Sequence, residues 1–196
     1  MTRTAIPKKT RDAVLAEYSH RCAICGTTKP QLHHIDGDHS NHQSLNLLPL
    51  CPNCHLSDQH NPTAELDSGI LSLFRKHKDP AVLKPQFYPI YIRQKFLDEI
   101  TESNLPIGDI DCSVTELVEF VAEFEMGGYY SRKLQTLLKL PSIPRVALLS
   151  RDPDPAYDAA CEAEYATYRK TVVVNRETAR SLIIEMLRYQ KWASDT

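Results

Sequence analysis

The sequence lacks a long apolar run, a secretion signal and a marked excess of charge of either sign. None of its apolar stretches approaches the about 20 residues that a helix needs to cross a bilayer. Its first residues, MTRTAIPKKTRDAVLAEYSHR, are charged and helix-like, whereas a signal peptide has an apolar central region. We therefore expect a cytoplasmic protein without a membrane partner, whose cysteines stay reduced. The formal net charge of −2 neither supports nor excludes nucleic acid as a partner, since a local patch or a bound cation would decide that.

The chain also lacks an ATP-binding loop, so any ATP-driven step would need a second protein. With 196 residues, 42% of them hydrophobic and 24% charged, it can bury the core of an ordinary globular protein. The sequence divides near Pro62. Residues 1–62 hold a short helix, predicted over Pro7–His20, and a dense group of cysteines and histidines, whereas residues 63–196 are helical in pattern.

Four of the six cysteines and six of the eight histidines lie between Cys22 and His60. The four cysteines form two Cys-x-x-Cys pairs, which is the spacing of zinc knuckles. Two such pairs fill all four positions around one tetrahedral ion, so we predict a structural Zn²⁺ that contributes directly to folding. Its ligands would be Cys22, Cys25, Cys51 and Cys54.

The histidines are predicted to do different work from the cysteines. His33 and His34 fall on a predicted strand, where neighbouring side chains point to opposite faces, so one can face a metal ion and the other a substrate. A second, apolar strand is expected over Ser44–Leu50, with Asn46 as its single buried amide. His55 then opens a helix just after the second cysteine pair.

Residues 22–60 resemble the HNH nuclease motif of the ββα-metal family in its zinc-knuckle form. The motifs that carry the resemblance occur in the family's order: Cys-x-x-Cys, then Leu-His-His-Ile-Asp-Gly-Asp, then Leu-Asn-Leu-Leu-Pro-Leu-Cys-Pro-Asn-Cys-His. The resemblance implies a small ββα-metal HNH core with a structural four-cysteine zinc site. Together with the helical pattern of the residues after it, we expect an α+β fold that is mostly α, in which this core precedes an all-helical accessory domain. The nuclease domain would span 1–62 and the helical docking domain 63–196.

Carried over position by position, the resemblance also implies roles for individual residues. His34 would be the general base that takes a proton from the attacking water. Asn46 would orient the loop that carries this base. His33 and His55 would bind a catalytic divalent cation.

The third ligand of that cation departs from the family pattern. The family often has a histidine one helical turn after the position of His55, where this chain has Gln59, with His60 one residue further on. Either His33 and His55 bind the cation together with waters and phosphate oxygens, or His60 joins them. Imidazole ligands suit Mn²⁺, Ni²⁺ or Zn²⁺ better than Mg²⁺, although the family is permissive.

By resemblance, the expected function is that of a metal-dependent HNH endonuclease that hydrolyses DNA, most readily duplex, and leaves a 5′-phosphate and a 3′-hydroxyl. Such a chain would act alone or as the nuclease subunit of an antiphage defence complex, with a separate ATPase bound through the helical domain. The alternative is a catalytically silent, zinc-dependent DNA-binding module. An intact base at His34 argues against this alternative, because binding alone needs no base.

In the helical part, the capping-box pattern Ser113-x-x-Glu116 predicts the start of a helix that Gly127-Gly128 would end. Two further helices are predicted, one beginning at 154–155 and the other spanning about 175–192. Acidic residues occur without bases over 98–125, and basic residues without acids over 126–151. This pattern favours either two helices with complementary polar faces, or an acidic face for a basic partner and a basic face for phosphate.

Overall fold

The structure, a computed structural model, describes residues 5–59, 67–102, 105–139 and 155–191. The described chain is mostly helical, with one small antiparallel sheet of two strands and a cluster of four cysteines, so the mostly helical α+β class is confirmed. It divides into two compact units, Met1–Lys84 and Pro85–Thr196. The predicted boundary at Pro62 lies outside the described residues.

The first unit begins with helix α1, Lys8–Glu17, which is shorter than the predicted Pro7–His20. Ser19 and His20 have positive φ angles of 52° and 58°, a conformation that no α-helix continues through. The helix therefore stops before the first cysteine pair, and the chain turns there.

Two four-residue strands form the sheet of the first unit. Strand β1, Gln31–His34, pairs antiparallel with β2, Leu47–Leu50, so that His33 lies opposite Leu48 and His34 opposite Leu47. The second strand was predicted to start at Ser44, but Ser44–Asn46 form a 3₁₀ turn and Asn46 is half-buried. The apolar pattern misled here, because the Asn46 side chain bonds to a neighbouring loop and holds its backbone in a turn.

After β2 the chain forms a π-helical segment, Cys54–Gln59, and then helix α2, Ser68–His77. The Asp67 carboxylate caps α2 by accepting a hydrogen bond from the Gly69 amide at 2.8 Å. Helix α2 buries an apolar stripe against the rest of the first unit. The core there comprises Val14, Ile35, Leu47, Leu48, Leu50, Ile70, Leu71, Phe74 and Val82.

A buried arginine joins three elements of the first unit. Arg75 on α2 is 2% exposed, and its guanidinium donates to the Leu47 carbonyl at 2.9 Å and to the Ser44 carbonyl at 3.1 Å. It also forms a two-pronged ion pair with Glu17 of α1, at 2.7 and 3.2 Å. The start of β2 is therefore fixed by a side chain that follows it by many residues.

The second unit is built from helices α3, Tyr88–Gln94; α4, Phe96–Glu102; α5, Ile107–Ala122; α6, Gly127–Leu138; and α7, Pro155–Leu187. The single helix α7 replaces the two separate C-terminal helices that were predicted, since no cap or breaker interrupts it near 175. The core of the second unit comprises Phe87, Ile90, Leu97, Ile110, Leu117, Val121, Leu134, Leu138, Val172, Ile183 and Leu187.

Helix α5 begins at Ile107, directly after Pro106, so the capping box predicted at Ser113 is wrong. The buried stripe of α5 runs through Ile110, Val114 and Leu117 without a break, which places Ser113 inside the helix. Among the described residues, no ion pair joins an acid of α5 to a base of α6. The prediction of two complementary polar faces is therefore not met by these two helices.

Gly127 and Gly128 begin helix α6, whereas the sequence pattern predicted that they end α5. A Cβ atom on Gly127 would lie 2.3 Å from the Val121 carbonyl oxygen and 2.7 Å from that of Ala122. The glycine thus permits a close approach of the two helices that any side chain would prevent. Within the described part of the chain, no helix combines the length and the apolar character that crossing a membrane requires.

Candidate metal centre and histidine site

The four predicted zinc ligands lie together. The sulfur atoms of Cys22, Cys25, Cys51 and Cys54 are all within 4.8 Å of one another, and those of Cys25 and Cys51 are 3.5 Å apart. In a tetrahedral site with Zn–S bonds of about 2.3 Å, sulfur atoms are about 3.8 Å apart. The cluster therefore has the donor set and the dimensions to hold a structural metal ion such as zinc.

The first cysteine pair sits in a tight turn that is anchored to the sheet. The Cys22 amide donates to the Thr27 carbonyl at 2.8 Å, and the Gly26 amide to the Cys22 carbonyl at 2.9 Å. Gly26 has a φ of +73°, in the left-handed region that glycine adopts at little cost. The Ala23 amide donates to the Pro49 carbonyl of β2 at 2.7 Å, which brings the first pair beside the second.

The four thiols differ in environment. Hydrogen bonds from the side chain and backbone of Thr27 lower the pKa of the exposed Cys25 to about 6. Burial raises the pKa of the Cys54 thiol, and its hydrogen bonds to Cys25 and Cys51 raise it further. A divalent cation at the centre of the cluster would reverse the effect on Cys54, because a coordinated thiol is deprotonated.

Two of the predicted catalytic histidines come together from different elements. His33 lies on β1 and His55 in the π-helical segment, and their ring centroids are 5.1 Å apart with an interplanar angle of 73°. Two imidazoles on one metal, with metal–nitrogen bonds of about 2.1 Å at roughly 90–110°, have centroids about 4.5–5.2 Å apart. Both side chains are half-buried, and the separation of their centroids falls within this range.

The third histidine has other neighbours. His34 is 5% exposed, and its ring lies 5.4 Å from that of His39 and 5.6 Å from that of His42. The His42 ring also contacts the His39 carbonyl, with Nε2 at 3.0 Å from the oxygen. The two histidines of β1 thus have different sets of neighbouring imidazoles, consistent with the alternation of side chains along a strand.

Asn46 fastens the loop that follows His34. Its amide nitrogen donates to Asp36 Oδ1 at 2.8 Å and to the Asn41 carbonyl at 2.9 Å, while its Oδ1 accepts from the Asp36 amide at 3.0 Å. The Ile35 amide in turn donates to the Asn46 carbonyl at 2.9 Å. These bonds fit the loop-orienting role that the resemblance implies for Asn46.

Sequence reasoning missed the part that Asp36 plays in this loop. Its carboxylate accepts from Asn46, from Asn41 at 2.6 Å and from the Asp38 amide at 2.9 Å. Desolvation alone would raise its pKa, but these hydrogen bonds outweigh it and lower the pKa of Asp36. The sequence signal was an aspartate, Asp36, followed within ten residues by two asparagines, Asn41 and Asn46. Only the fold shows that these side chains bond to one another.

The remaining predicted site residue, His60, lies outside the described residues, so the third ligand of the catalytic cation stays a prediction. Gln59 closes the π-helical segment in the position where the family often has a histidine. The His33–His55 pair is the part of that predicted site that the described residues contain.

The chain matches no protein-family model, no curated protein and no solved structure. The HNH resemblance of residues 22–60 therefore stays a prediction. Function must be inferred from the chemistry of the cysteine cluster and of the two groups of histidines.

Proposed function

We propose that the protein is a metal-dependent endonuclease of the HNH type that hydrolyses phosphodiester bonds of DNA. The observation that carries the proposal is the approach of His33 and His55 from separate elements, next to a four-cysteine cluster and one residue from His34. A structural zinc site alone needs none of these histidines. Metal-assisted hydrolysis uses imidazoles that hold a cation together with an imidazole that acts as a base, and the chain offers His33 and His55 for the first task and the adjacent residue His34 for the second.

Each histidine then has a distinct task. His33 and His55 would hold the divalent cation, which when bound would supply Lewis-acid stabilisation of the charge that develops on the phosphate and the leaving oxygen. His34 accepts a proton from a water molecule as that water attacks phosphorus. The bond from phosphorus to the 3′ oxygen breaks, and a proton from solvent completes the 3′-hydroxyl while the phosphate stays on the 5′ side.

The loop after β1 has a positioning task in this proposal. Asn46 and Asp36 hold the backbone immediately beyond His34, and so limit the positions that this imidazole can take. A base that is fixed in place reaches its water without first losing side-chain freedom.

The decisive experiment is a nicking assay on supercoiled plasmid with Mg²⁺, Mn²⁺, Ni²⁺ or Zn²⁺. We expect relaxation of the plasmid by the wild type and a loss of about 10²–10⁴-fold in His34→Ala, the usual contribution of a general base. His55→Ala should lose activity and change the dependence on metal concentration. The exposed His20, replaced in His20→Asn, is the matched control and should cut like the wild type.

A second candidate, a catalytically silent DNA-binding module built on zinc, is favoured by the low exposure of His34. At 5% exposed, this side chain also fits the role of a packed interior residue. The same assay separates the two candidates. Equal plasmid relaxation by wild type and His34→Ala across all four metals, together with retained binding of labelled duplex by both, would leave the binding module as the function.

The proposal extends to an assembly in which this chain is the nuclease subunit and an ATPase is a separate protein, as in antiphage defence complexes. What supports it is a helical second unit whose described residues are separate in sequence from the cysteine cluster and from the His33–His55 pair. Purification of the chain together with the proteins that bind it in its native cell, followed by measurement of DNA cutting with and without ATP, tests the idea. A chain that purifies alone and cuts equally with and without ATP would contradict it.

A further inference from the structure

The second unit carries an open groove between helices α6 and α7. Its cavity volume is about 460 Å³, and most of its surface comes from apolar atoms, with Leu137 and Leu182 on the floor. A volume of this size is in the range of clefts that bind ligands or partner side chains. All the residues that line the groove belong to the second unit.

One side of the groove is basic. Arg132 and Lys133 line it from α6, and no described aspartate or glutamate lines it. Among the described residues, the Arg132 side chain has no ion pair, and its charge faces solvent. The Lys133 ammonium lies 4.6 Å from the centre of the Tyr129 ring, a cation–π contact, and Glu185 is an acid close enough to act on its charge.

Tyr129 lines the groove at the start of α6, and the second unit exposes further large side chains just before α6 and just after α7. Tyr129 is 44% exposed, and Met126 and Tyr189 are each 54% exposed. The Tyr129 ring stacks edge-on with Tyr130 at 5.1 Å, and Tyr130 lies 6.5 Å from Tyr189. Tyrosine, methionine and arginine are the residues enriched in the centres of protein–protein interfaces, where they provide most of the binding energy.

We propose that this groove binds an acidic amphipathic helix of a protein partner. A helix laid between α6 and α7 would insert apolar side chains over Leu137 and Leu182 and place acidic side chains beside Arg132 and Lys133. The stretch of α6 from Tyr129 to Leu137 rises about 12 Å, which matches roughly two turns of a partner helix. That partner helix would carry apolar residues at i, i+3 or i+4, and i+7.

Helix α5 of a second copy does not supply such a helix. The exposed face of α5 is acidic, through Asp109, Glu116 and Glu119, but its apolar residues are buried in its own unit. Nucleic acid fits less well, because a phosphate backbone gains nothing from an apolar floor. The partner is therefore a different protein, and its chemistry is acidic and apolar at helical spacing.

The test is a selection of short random peptides, displayed on phage, against the full-length chain, with Arg132→Glu/Lys133→Glu as the counter-selection target. We expect the selected peptides to be rich in Asp and Glu and to carry Leu, Ile or Phe at helical spacing. In fluorescence anisotropy, a labelled peptide should lose more than about tenfold in affinity with Arg132→Glu/Lys133→Glu and with Leu182→Lys, about 1.4 kcal/mol or more. Lys139→Glu, which changes a base directly after the end of α6 that does not line the groove, is the matched control and should bind like the wild type.

Charge reversal makes the test specific. The same peptide with its acids replaced by lysine should bind Arg132→Glu/Lys133→Glu in preference to the wild type. Circular dichroism of each variant checks that the helices remain intact.

Three results would overturn the proposal: selected peptides without acidic enrichment, binding that survives Leu182→Lys, or a selection that yields no groove-dependent peptide. Competition by a duplex oligonucleotide that requires Arg132 would instead assign the groove to nucleic acid. A dimer that Leu182→Lys dissociates in sedimentation would assign it to a second copy. Each readout is independent of nuclease activity, so it stands or falls separately from the proposed function.

Discussion

Replacing Arg75 by methionine should destabilise the first unit strongly, because this buried side chain bonds to groups on other elements of the unit. Methionine keeps an unbranched apolar side chain in the same space but removes every donor. The Leu47 carbonyl, on a residue that is fully buried, loses its 2.9 Å hydrogen bond and stays away from water. Leaving such a group unsatisfied costs about 1–3 kcal/mol.

The ion pair adds less than its geometry suggests. Glu17 is 34% exposed and keeps a second partner, Lys78, at 2.5 Å, so loss of the pair with Arg75 costs about 1 kcal/mol after solvent screening. Together the two effects amount to about 2–4 kcal/mol. In a unit of this size, that corresponds to a fall in Tm of roughly 10–25 °C.

Thermal unfolding of the full chain, with hydrogen exchange of the β2 amides as the local readout, measures this effect. Arg11→Met is the control, because Arg11 is 51% exposed and pairs only with the adjacent Asp12 among the described residues. Arg75→Lys should fall between wild type and Arg75→Met, since an ammonium cannot reproduce the guanidinium fork. If Arg75→Met melts with the wild type and β2 exchanges no faster, the reasoning about this buried donor is wrong.

The same ion pair has a pH signature. The hydrogen bond from Arg75 lowers the pKa of Glu17 to about 2, against the opposing effect of desolvation and with help from Lys78. Because the folded pKa is depressed, the stability from this group is present above about pH 4.5 and is lost as the pH falls toward 2. Carboxyl-carbon NMR should find Glu17 still ionised at pH 4 in the wild type, and its pKa should rise toward that of an ordinary glutamate in Arg75→Met, where only Lys78 still lowers it.

Three further predictions concern close packing, the metal and the loop. Gly127→Ala should lower the free energy of unfolding by roughly 1–3 kcal/mol in chemical denaturation, because a Cβ there would lie 2.3 Å from a backbone oxygen. Gly128→Ala is the control and should be neutral or stabilising, since the nearest atom to its Cβ would be 3.8 Å away. Equal effects of the two substitutions would contradict the close approach. Cys51→Ser should lose zinc, measured by elemental analysis, together with folding of the first unit, and a folded, zinc-free variant would refute the structural metal. Asn46→Ala should speed hydrogen exchange of the loop amides near Asp36 and lower nicking, and unchanged exchange would show that the amide does not hold the loop.

Local patterns predicted the parts of this protein that depend on neighbours in sequence. The two Cys-x-x-Cys pairs predicted a cluster that the fold assembles, and the His33-His34 dyad was correctly placed on a strand. The same kind of reasoning failed for Ser113 and for Gly127, where a pattern typical of a helix end occurs inside or at the start of a helix. In both cases packing between α5 and α6 overrides the local preference, because burial of an apolar stripe outweighs a cap.

The sequence by itself determined the chemistry that is available: four thiols at knuckle spacing, a histidine dyad, and a third histidine directly after the last of these four cysteines. The sequence alone shows this chemistry because a zinc knuckle is a local feature: it needs only a tight turn between two cysteines. The tertiary structure decided which distant groups meet. It brought His33 to His55, Asp36 to Asn46, and Arg75 to the start of β2, because each pairing requires the chain to close a loop that no local rule specifies.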